Sequence, residues 1–274
     1  MKYGSKNLAA KVCAFTLVAA CAVSVYGAAP DCKQLAEKLE KSANTAIRPS
    51  PRIPVNEPWL AAHAKRQQVL DAGSFDILLV GDSITAGWSK HPEVLKKFFG
   101  TRPVMNLGHP ADKTQNIIWR LLNHRMDHIS PKLAIVMAGT NNSNEDEWTE
   151  EQIAEGVQAI VQILRAKLPQ TKILLLGIFP RGSREQRIEI KSGLTAAGMN
   201  PQWEKIDRVN RIIQTFADGT NIVYLNINQA LLDEKGALPV TVMPDLLHPN
   251  EKGYELWGNA MMPTLEKMTA NSTK

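Results

Sequence analysis

FDILLVGDSITAGW, residues 75–88, changes character halfway along. Ile77 to Gly81 carry no polar side chain; Asp82 and Ser83 then arrive together, ahead of Ile84, Thr85 and Gly87. A short apolar run bounded by polar and glycine residues reads as a strand buried on both faces. The polar pair at its end has two readings. Serine and aspartate are good N-caps for a following helix, or the Ser83 hydroxyl does chemistry at a strand-to-helix turn. The surrounding chain has to choose between them.

The same pattern recurs outward from this stretch. PVMNL (103–107), LAIVMAG (133–139), KILLLGIF (172–179) and NIVYLNI (221–227) are further apolar strands. Helical patterns alternate with them: PEVLKKFF (92–99), TQNIIWRLLNHRMDHI (114–129), TEEQIAEGVQAIVQILRAKL (149–168), a long helix through IDRVNRIIQTFAD (206–218), and a closing GYELWGNAMMPTLEKMT (253–269). This alternation predicts an α/β fold with a five-stranded parallel sheet covered on both faces. In such sheets ligands bind beyond the carboxyl ends of the strands. Four polar clusters fall there: Asp82-Ser83, Gly108 to Asp112, Gly139 to Asn142, and Asp245 to His248.

The rest of the chain narrows the function classes. Its 274 residues suffice for one α/β domain with a substantial core. Net charge is +5 and falls to +2 once Lys2, Lys6 and Lys11 are set aside, with no basic run, so no nucleic-acid surface is indicated. Those lysines precede VCAFTLVAACAVSVYGAA (12–29), which reads as a secretory signal cleaved after Gly27. Val18 to Cys21 offer the alternative of a lipidation box with an anchor at Cys21. Secretion, or a periplasmic or lipoprotein destination, is therefore expected. Of three cysteines only Cys32 lies beyond the signal, which excludes an internal disulfide and a zinc set. Residues 28–73 read as a leader: a short polar helix, an extended proline-rich stretch, then a helix with Leu60, Ala64 and Leu70 inward. The main domain is placed at 74–270.

A serine hydroxyl needs a base within hydrogen-bond reach and a third group to orient that base. Ser83 supplies the hydroxyl, His248 the imidazole and Asp245 a carboxylate on the same loop. Oxyanion donors are available from the Ser83 backbone, from amides at Gly108 and Ala111, and from the Asn141 side chain. Each residue alone has an ordinary reading as a cap or turn residue. The four clusters gain weight by falling at the ends of successive strands.

GDSIT, NLGHPAD, GTNN and DLLHP resemble the four sequence blocks of the SGNH, or GDSL-type, hydrolases. NIIWRL, ISPKLAIVMAGTNN, LLLGIFPRG and DLLHPNEKGY resemble the branch containing the catalytic subunits of the intracellular platelet-activating-factor acetylhydrolase and bacterial acetylesterases. The resemblance implies a flavodoxin-like three-layer α/β/α fold and ester hydrolysis through an acyl-enzyme; no cofactor is expected, and the histidines at 63, 91, 109, 124 and 128 form no metal-ligand cluster in the sequence. It makes Ser83 the nucleophile, His248 the base and Asp245 its orienter, with Ser83, Gly108, Ala111 and Asn141 around the oxyanion. It leaves a homodimer open. One departure stands out: Ala111 occupies a position where the family carries glycine, which puts the loop conformation in question.

Asp82, His109 and Trp203 are placed near the substrate, Asp82 chiefly as the residue holding the turn. Residues 181–205 form a long connection expected to border the pocket, with Trp203 stacking on a sugar ring or anchoring the excursion. The expected activity is removal of small acyl groups, acetyl foremost, from a glycan ester. The alternatives are a lipase-like or phospholipid acetylhydrolase, and a silent glycan-binding or scaffold module.

Overall fold

Residue 31 opens the computed structural model, which describes residues 31–52, 57–144, 146–189 and 198–270. The segment read as a signal, with Cys21 in it, lies outside the described residues. Helices α1 (Cys32–Glu40) and α2 (Glu57–Ala72) precede the sheet. Then come β1 (Ile77–Gly81), α3 (Ser83–Ala86), α4 (Pro92–Phe99), β2 (Val104–Asn106), α5 (Thr114–Asn123) and β3 (Leu133–Met137). The chain continues with α6 (Thr140–Ser143), α7 (Glu150–Lys167), β4 (Lys172–Leu176), α8 (Arg184–Glu189), α9 (Pro201–Ile213), β5 (Ile222–Leu225) and α10 (Glu251–Ala270).

All strand pairs are parallel and the order is β2-β1-β3-β4-β5. This is the three-layer α/β/α arrangement. The chain steps from β1 out to β2, jumps back across β1 to β3, and continues in that direction to β5. Right-handed crossovers then send the first connection to one face and the next three to the other. The packing agrees: α5, α7 and α9 lie side by side, whereas α10 returns beside α4. Alternate strand residues supply the two cores. Leu78, Val80, Ala134, Val136, Ile173 and Leu175 face α5, α7 and α9. Ile77, Leu79, Ile135, Leu174 and Leu176 face Trp88, Phe98, Trp257 and Met261. Strands buried on both faces explain the unbroken apolar runs. Strand order reverses between β1 and β3, and Ser83 and Asn141 directly follow those two strands. The site therefore lies at the switch point where open α/β sheets bind ligands.

Three elements differ from the sequence reading. Helix α5 stops at Asn123, because His124 turns to extended backbone (ψ 133°). Residues 124–129, expected inside the helix, thus lie beyond it. His124 is buried with its ring 4.0 Å from that of His63, and His128 Nε2 meets the Leu70 carbonyl at 2.9 Å. In α2 the buried residues are Trp59 and Leu70, while Ala64 is exposed and Leu60 only half-buried. Its inward stripe is Trp59, His63, Arg66 and Leu70, spaced by three or four residues, and much of it docks by hydrogen bonds rather than by apolar contact. Helix α9 begins at Pro201, earlier than expected, capped by Asn200, whose side chain accepts from the Gln202 and Trp203 amides. Of the 181–205 connection, residues 190–197 lie outside the described residues.

Candidate active site

Asp82 ends β1 and caps α3: its Oδ1 accepts the Ile84 amide at 2.9 Å. The cap sets the first turn of α3 and presents Ser83 at its start. From the other side of the turn, the Tyr254 hydroxyl donates to the Ile84 carbonyl at 2.6 Å. Asp82 is 1% exposed, and burial pushes its carboxyl up to about 7, partly opposed by the Ile84 amide. Asp82 is thus a buried structural cap, and its expected place beside the substrate is corrected.

Ser83 Oγ lies 2.8 Å from His248 Nε2, and His248 Nδ1 lies 2.6 Å from Asp245 Oδ2. Asp245 Oδ1 accepts the backbone amides of Leu247 (3.1 Å) and His248 (2.7 Å). Two oxygens thus do different work: one holds the loop, the other orients the ring. Burial acts to raise the Asp245 carboxyl, but the bonds from the His248 ring and backbone and the Leu247 amide outweigh it. The carboxyl sits well below its ordinary range. Leu246 adopts φ 54°, and its carbonyl accepts the Gly182 amide at 2.8 Å, tying the loop to the end of β4.

The second loop, Gly108 to Asp112, crosses the ends of β1 and β2. The His109 amide donates to the Gly81 carbonyl at 3.2 Å. Gly108 passes so close to α3 that a Cβ there would stand 2.4 Å from the Ala86 nitrogen. The Gly108 amide donates to Asn106 Oδ1 at 2.9 Å and is thereby occupied. The oxyanion donor expected at Gly108 is corrected accordingly. Ala111 is exposed with φ 59°, the left-handed conformation that a glycine would hold without strain. The alanine therefore keeps the turn at a cost. Among the described residues the Ser83 and Ala111 amides donate to no protein acceptor.

Asp112, 0% exposed, is the anchor of this loop. Its Oδ1 accepts Trp59 Nε1 at 2.7 Å and its Oδ2 accepts Arg120 Nε at 2.6 Å. The Arg120 guanidinium also lies 4.0 Å over the Trp59 ring. The Asp112 carbonyl takes one N–H of the Asn141 side chain at 2.9 Å, leaving the second for an oxyanion. Behind Asn141, Gly139 has φ 116°, and a Cβ there would meet Ile178 at 2.8 Å. Asn142 Oδ1 accepts the Thr114 amide at 2.9 Å.

Two arginines escaped the sequence reading. Arg181, 1% exposed in the loop after β4, donates to the Thr140 carbonyl and to Asn144 Oδ1, each at 2.9 Å, and so fixes α6. Burial brings its guanidinium down to about 10, helped by Arg187. Arg187 on α8 donates from Nε to the Asp245 carbonyl at 3.0 Å and sets Nη2 3.4 Å from Asp245 Oδ2. The available signal for Arg181 was a charged residue just past the apolar run 173–180.

Trp203 and His109 stand apart from the triad of Ser83, His248 and Asp245. Trp203 is 6% exposed inside the core on the α4 and α10 side. It anchors α9, and the stacking role is corrected. His109 sits edge-on to Trp59 and 3.4 Å from Asp112 Oδ1, bracing the loop. Beside Ala111 and Asn141 opens a cavity of about 640 Å³ whose lining includes Ser50, Gln115, Asn116 and Asn144.

Residues 79–256 match the model of the GDSL-like lipase/acylhydrolase family. The chain is 31% identical over 202 residues to the alpha2 subunit of platelet-activating factor acetylhydrolase IB of Homo sapiens, covering 73% of this chain and 80% of that one. Its fold is similar to that of a GDSL-like lipase from Bacteroides thetaiotaomicron (TM-score 0.59, 21% identity, 76% of this chain and 98% of that one). It is also similar to that of a carbohydrate acetylesterase family member from Sinorhizobium meliloti (TM-score 0.53, 16% identity, 71% and 98%).

Proposed function

This chain belongs to the GDSL-like lipase/acylhydrolase family and is a carboxylic ester hydrolase, and from that premise we propose that it removes small acyl groups through an acyl-enzyme on Ser83. The observation that carries this reading is the continuous Ser83–His248–Asp245 hydrogen-bond chain at 2.8 and 2.6 Å. In the proposed reaction Ser83 Oγ attacks the ester carbonyl while His248 Nε2 takes its proton. Asp245 keeps Nδ1 protonated and the ring in place. The carbonyl oxygen becomes an oxyanion met by the Ser83 amide, the Ala111 amide and the second N–H of Asn141. His248 then returns the proton to the leaving alcohol. Water, deprotonated by the same ring, releases the acid and restores Ser83.

Acetyl is the proposed acyl group, the one named for the human relative. A glycan is the proposed alcohol, because Arg48, Arg52, Gln115, Asn116 and Asn144 place hydrogen-bonding side chains around the cavity beside Ala111 and Asn141. The uncharged residues 12–29 after three lysines support export. Among the described residues no helix is long and apolar enough to cross a membrane.

Hydrolysis of 4-nitrophenyl acetate, butyrate and octanoate by the wild type and Ser83→Ala tests the reading. We expect rates that fall with chain length and a loss of about 10³-fold or more in the variant. Equal rates for both proteins would overturn it.

A further inference from the structure

The cavity beside Ala111 and Asn141 has a second wall that the family match does not include. That match begins at residue 79, whereas this wall is the leader segment 45–52. The segment is bound tightly to the N-terminal end of α5. The Ser50 amide donates to the Gln115 carbonyl at 3.2 Å, and Asn116 Nδ2 returns a bond to the Ser50 carbonyl at 3.1 Å. Thr114 Oγ1 donates to the Ala46 carbonyl at 2.7 Å, and Trp148 Nε1 to Thr45 Oγ1 at 2.7 Å. Pro49 and Pro51 restrict the backbone between these ties. The wall is therefore preorganised, and a ligand binding there need not order it.

Its charge is one-sided. Arg48 and Arg52 line the cavity, and among the described residues no carboxylate does. The Lys113 ammonium lies 4.7 Å over the Trp148 ring. Arg48 donates from Nε and Nη2 to the Ser42 carbonyl at 3.2 and 2.7 Å, and Arg52 from Nη2 to the Pro110 carbonyl at 3.3 Å. Those carbonyls orient both guanidiniums, and among the described residues they leave most of the five donors apiece unused and bring no carboxylate to the charge. Glu147, which accepts from Thr45 Oγ1 at 3.4 Å, is not part of the lining. A guanidinium fork held this way suits the paired oxygens of a carboxylate or phosphate. The volume, about 640 Å³, is that of a small-molecule site.

Resting on the esterase reading of Ser83, we propose that this cavity receives the alcohol half of the ester and that Arg48 and Arg52 select alcohols bearing an anionic group, as in an acetylated acidic sugar. Ala111 and Asn141, two of the proposed oxyanion donors, belong to the cavity lining, so the cavity adjoins the place proposed for the ester carbonyl. The leader thereby sets substrate choice while the sheet rim performs the chemistry.

The test compares kcat/KM on acetylated methyl glucoside, acetylated glucuronate and acetylated glucose phosphate. The proteins are wild type, Arg48→Gln, Arg52→Gln and the double variant, with 4-nitrophenyl acetate as reference ester. Binding of unacetylated glucuronate and glucose phosphate to Ser83→Ala, with and without the arginine changes, is measured by calorimetry and needs no turnover. We expect the wild type to prefer an anionic ester about tenfold or more, and the double variant to bring the ratio within about twofold. Raising the salt to about 0.5 M should weaken the preference of the wild type. Whichever anion is preferred, carboxylate or phosphate, identifies the group recognised. A wild type that hydrolyses 4-nitrophenyl acetate through Ser83 but shows neither preference nor binding overturns this proposal and leaves the esterase reading standing. Arginine-dependent binding in a protein that hydrolyses no ester upholds the anion site and overturns the esterase reading.

Discussion

Asp112 and Arg120 allow a quantitative test of how the oxyanion side is held. Both are almost fully removed from water, at 0% and 3% exposed, and meet at 2.6 Å, so solvent screening does not soften the pair. Removing one partner strands a buried charge, which costs about 3–5 kcal/mol. Asp112→Val leaves the guanidinium with the Trp59 ring face; Arg120→Met leaves the carboxylate with Trp59 Nε1, the neighbouring His109 and the longer-range attraction of Arg66. Changing both removes both charges. What remains is a Trp59 indole N–H without its acceptor, worth about 1–3 kcal/mol. The double variant should therefore be no less stable than either single one, with a coupling of about 3 kcal/mol or more by urea denaturation. All three variants should lose hydrolysis of 4-nitrophenyl acetate, because the Asp112 carbonyl that holds Asn141 rides on this loop. Additivity within about 0.5 kcal/mol would refute the buried-pair argument. Full activity in the folded variants would refute the idea that the pair positions Asn141.

Other perturbations follow from the same geometry. Native Asp82, raised to about 7, keeps a proton that the unfolded chain releases near 4, so its contribution to stability falls as pH rises across that window. His63 and His124, lowered by burial to about 4 and about 3, act in the opposite sense below about 6.5. Asp82→Asn retains the cap acceptor, and its stability should climb more steeply than the wild type's between pH 4.5 and 6.5 in denaturant titrations. Identical slopes would refute the assignment. Gly108→Ala forces a Cβ against the backbone of Thr85 and Ala86, and thermal melts should show a loss of about 1–3 kcal/mol together with a slower kcat. Arg187→Ala removes a part-exposed contact to Asp245 and should change stability by less than about 1 kcal/mol. It should nevertheless lower kcat/KM severalfold, and an unchanged value would show that Arg187 does not steady the triad.

What the sequence makes legible follows from how each element is buried. Strands enclosed on both faces must be apolar throughout, so Ile77–Gly81, Leu133–Met137 and Lys172–Leu176 announce themselves, and the polar residues after them mark the rim. Ser83, His248 and Asp245 could be grouped for that reason, although only the fold brings the first two together. Helix α2 hid its orientation because Trp59, His63 and Arg66 dock through hydrogen bonds and ring contacts, and no hydrophobic stripe records that. Trp203 reads equally as a binding ring or as an anchor, because a tryptophan in a polar stretch suits both; the early start of α9 turns it inward and makes it the anchor. Ala111 shows the reverse: its left-handed backbone follows from the turn that Asp112 and Asn141 impose, not from the preference of alanine.

The distance along the chain between Ser83 and His248 carries a kinetic consequence. Their 2.8 Å contact closes a loop of 165 residues, and the Tyr254–Ile84 bond beside it spans 170. Contacts this remote in sequence are entropically the most expensive to close and form after local helices and neighbouring strands have paired. The nucleophile–base pair cannot exist before the loop carrying His248 reaches the turn that carries Ser83. Recovery of esterase turnover after dilution from urea thus times the final closure of the molecule, and it should lag behind the return of helical ellipticity.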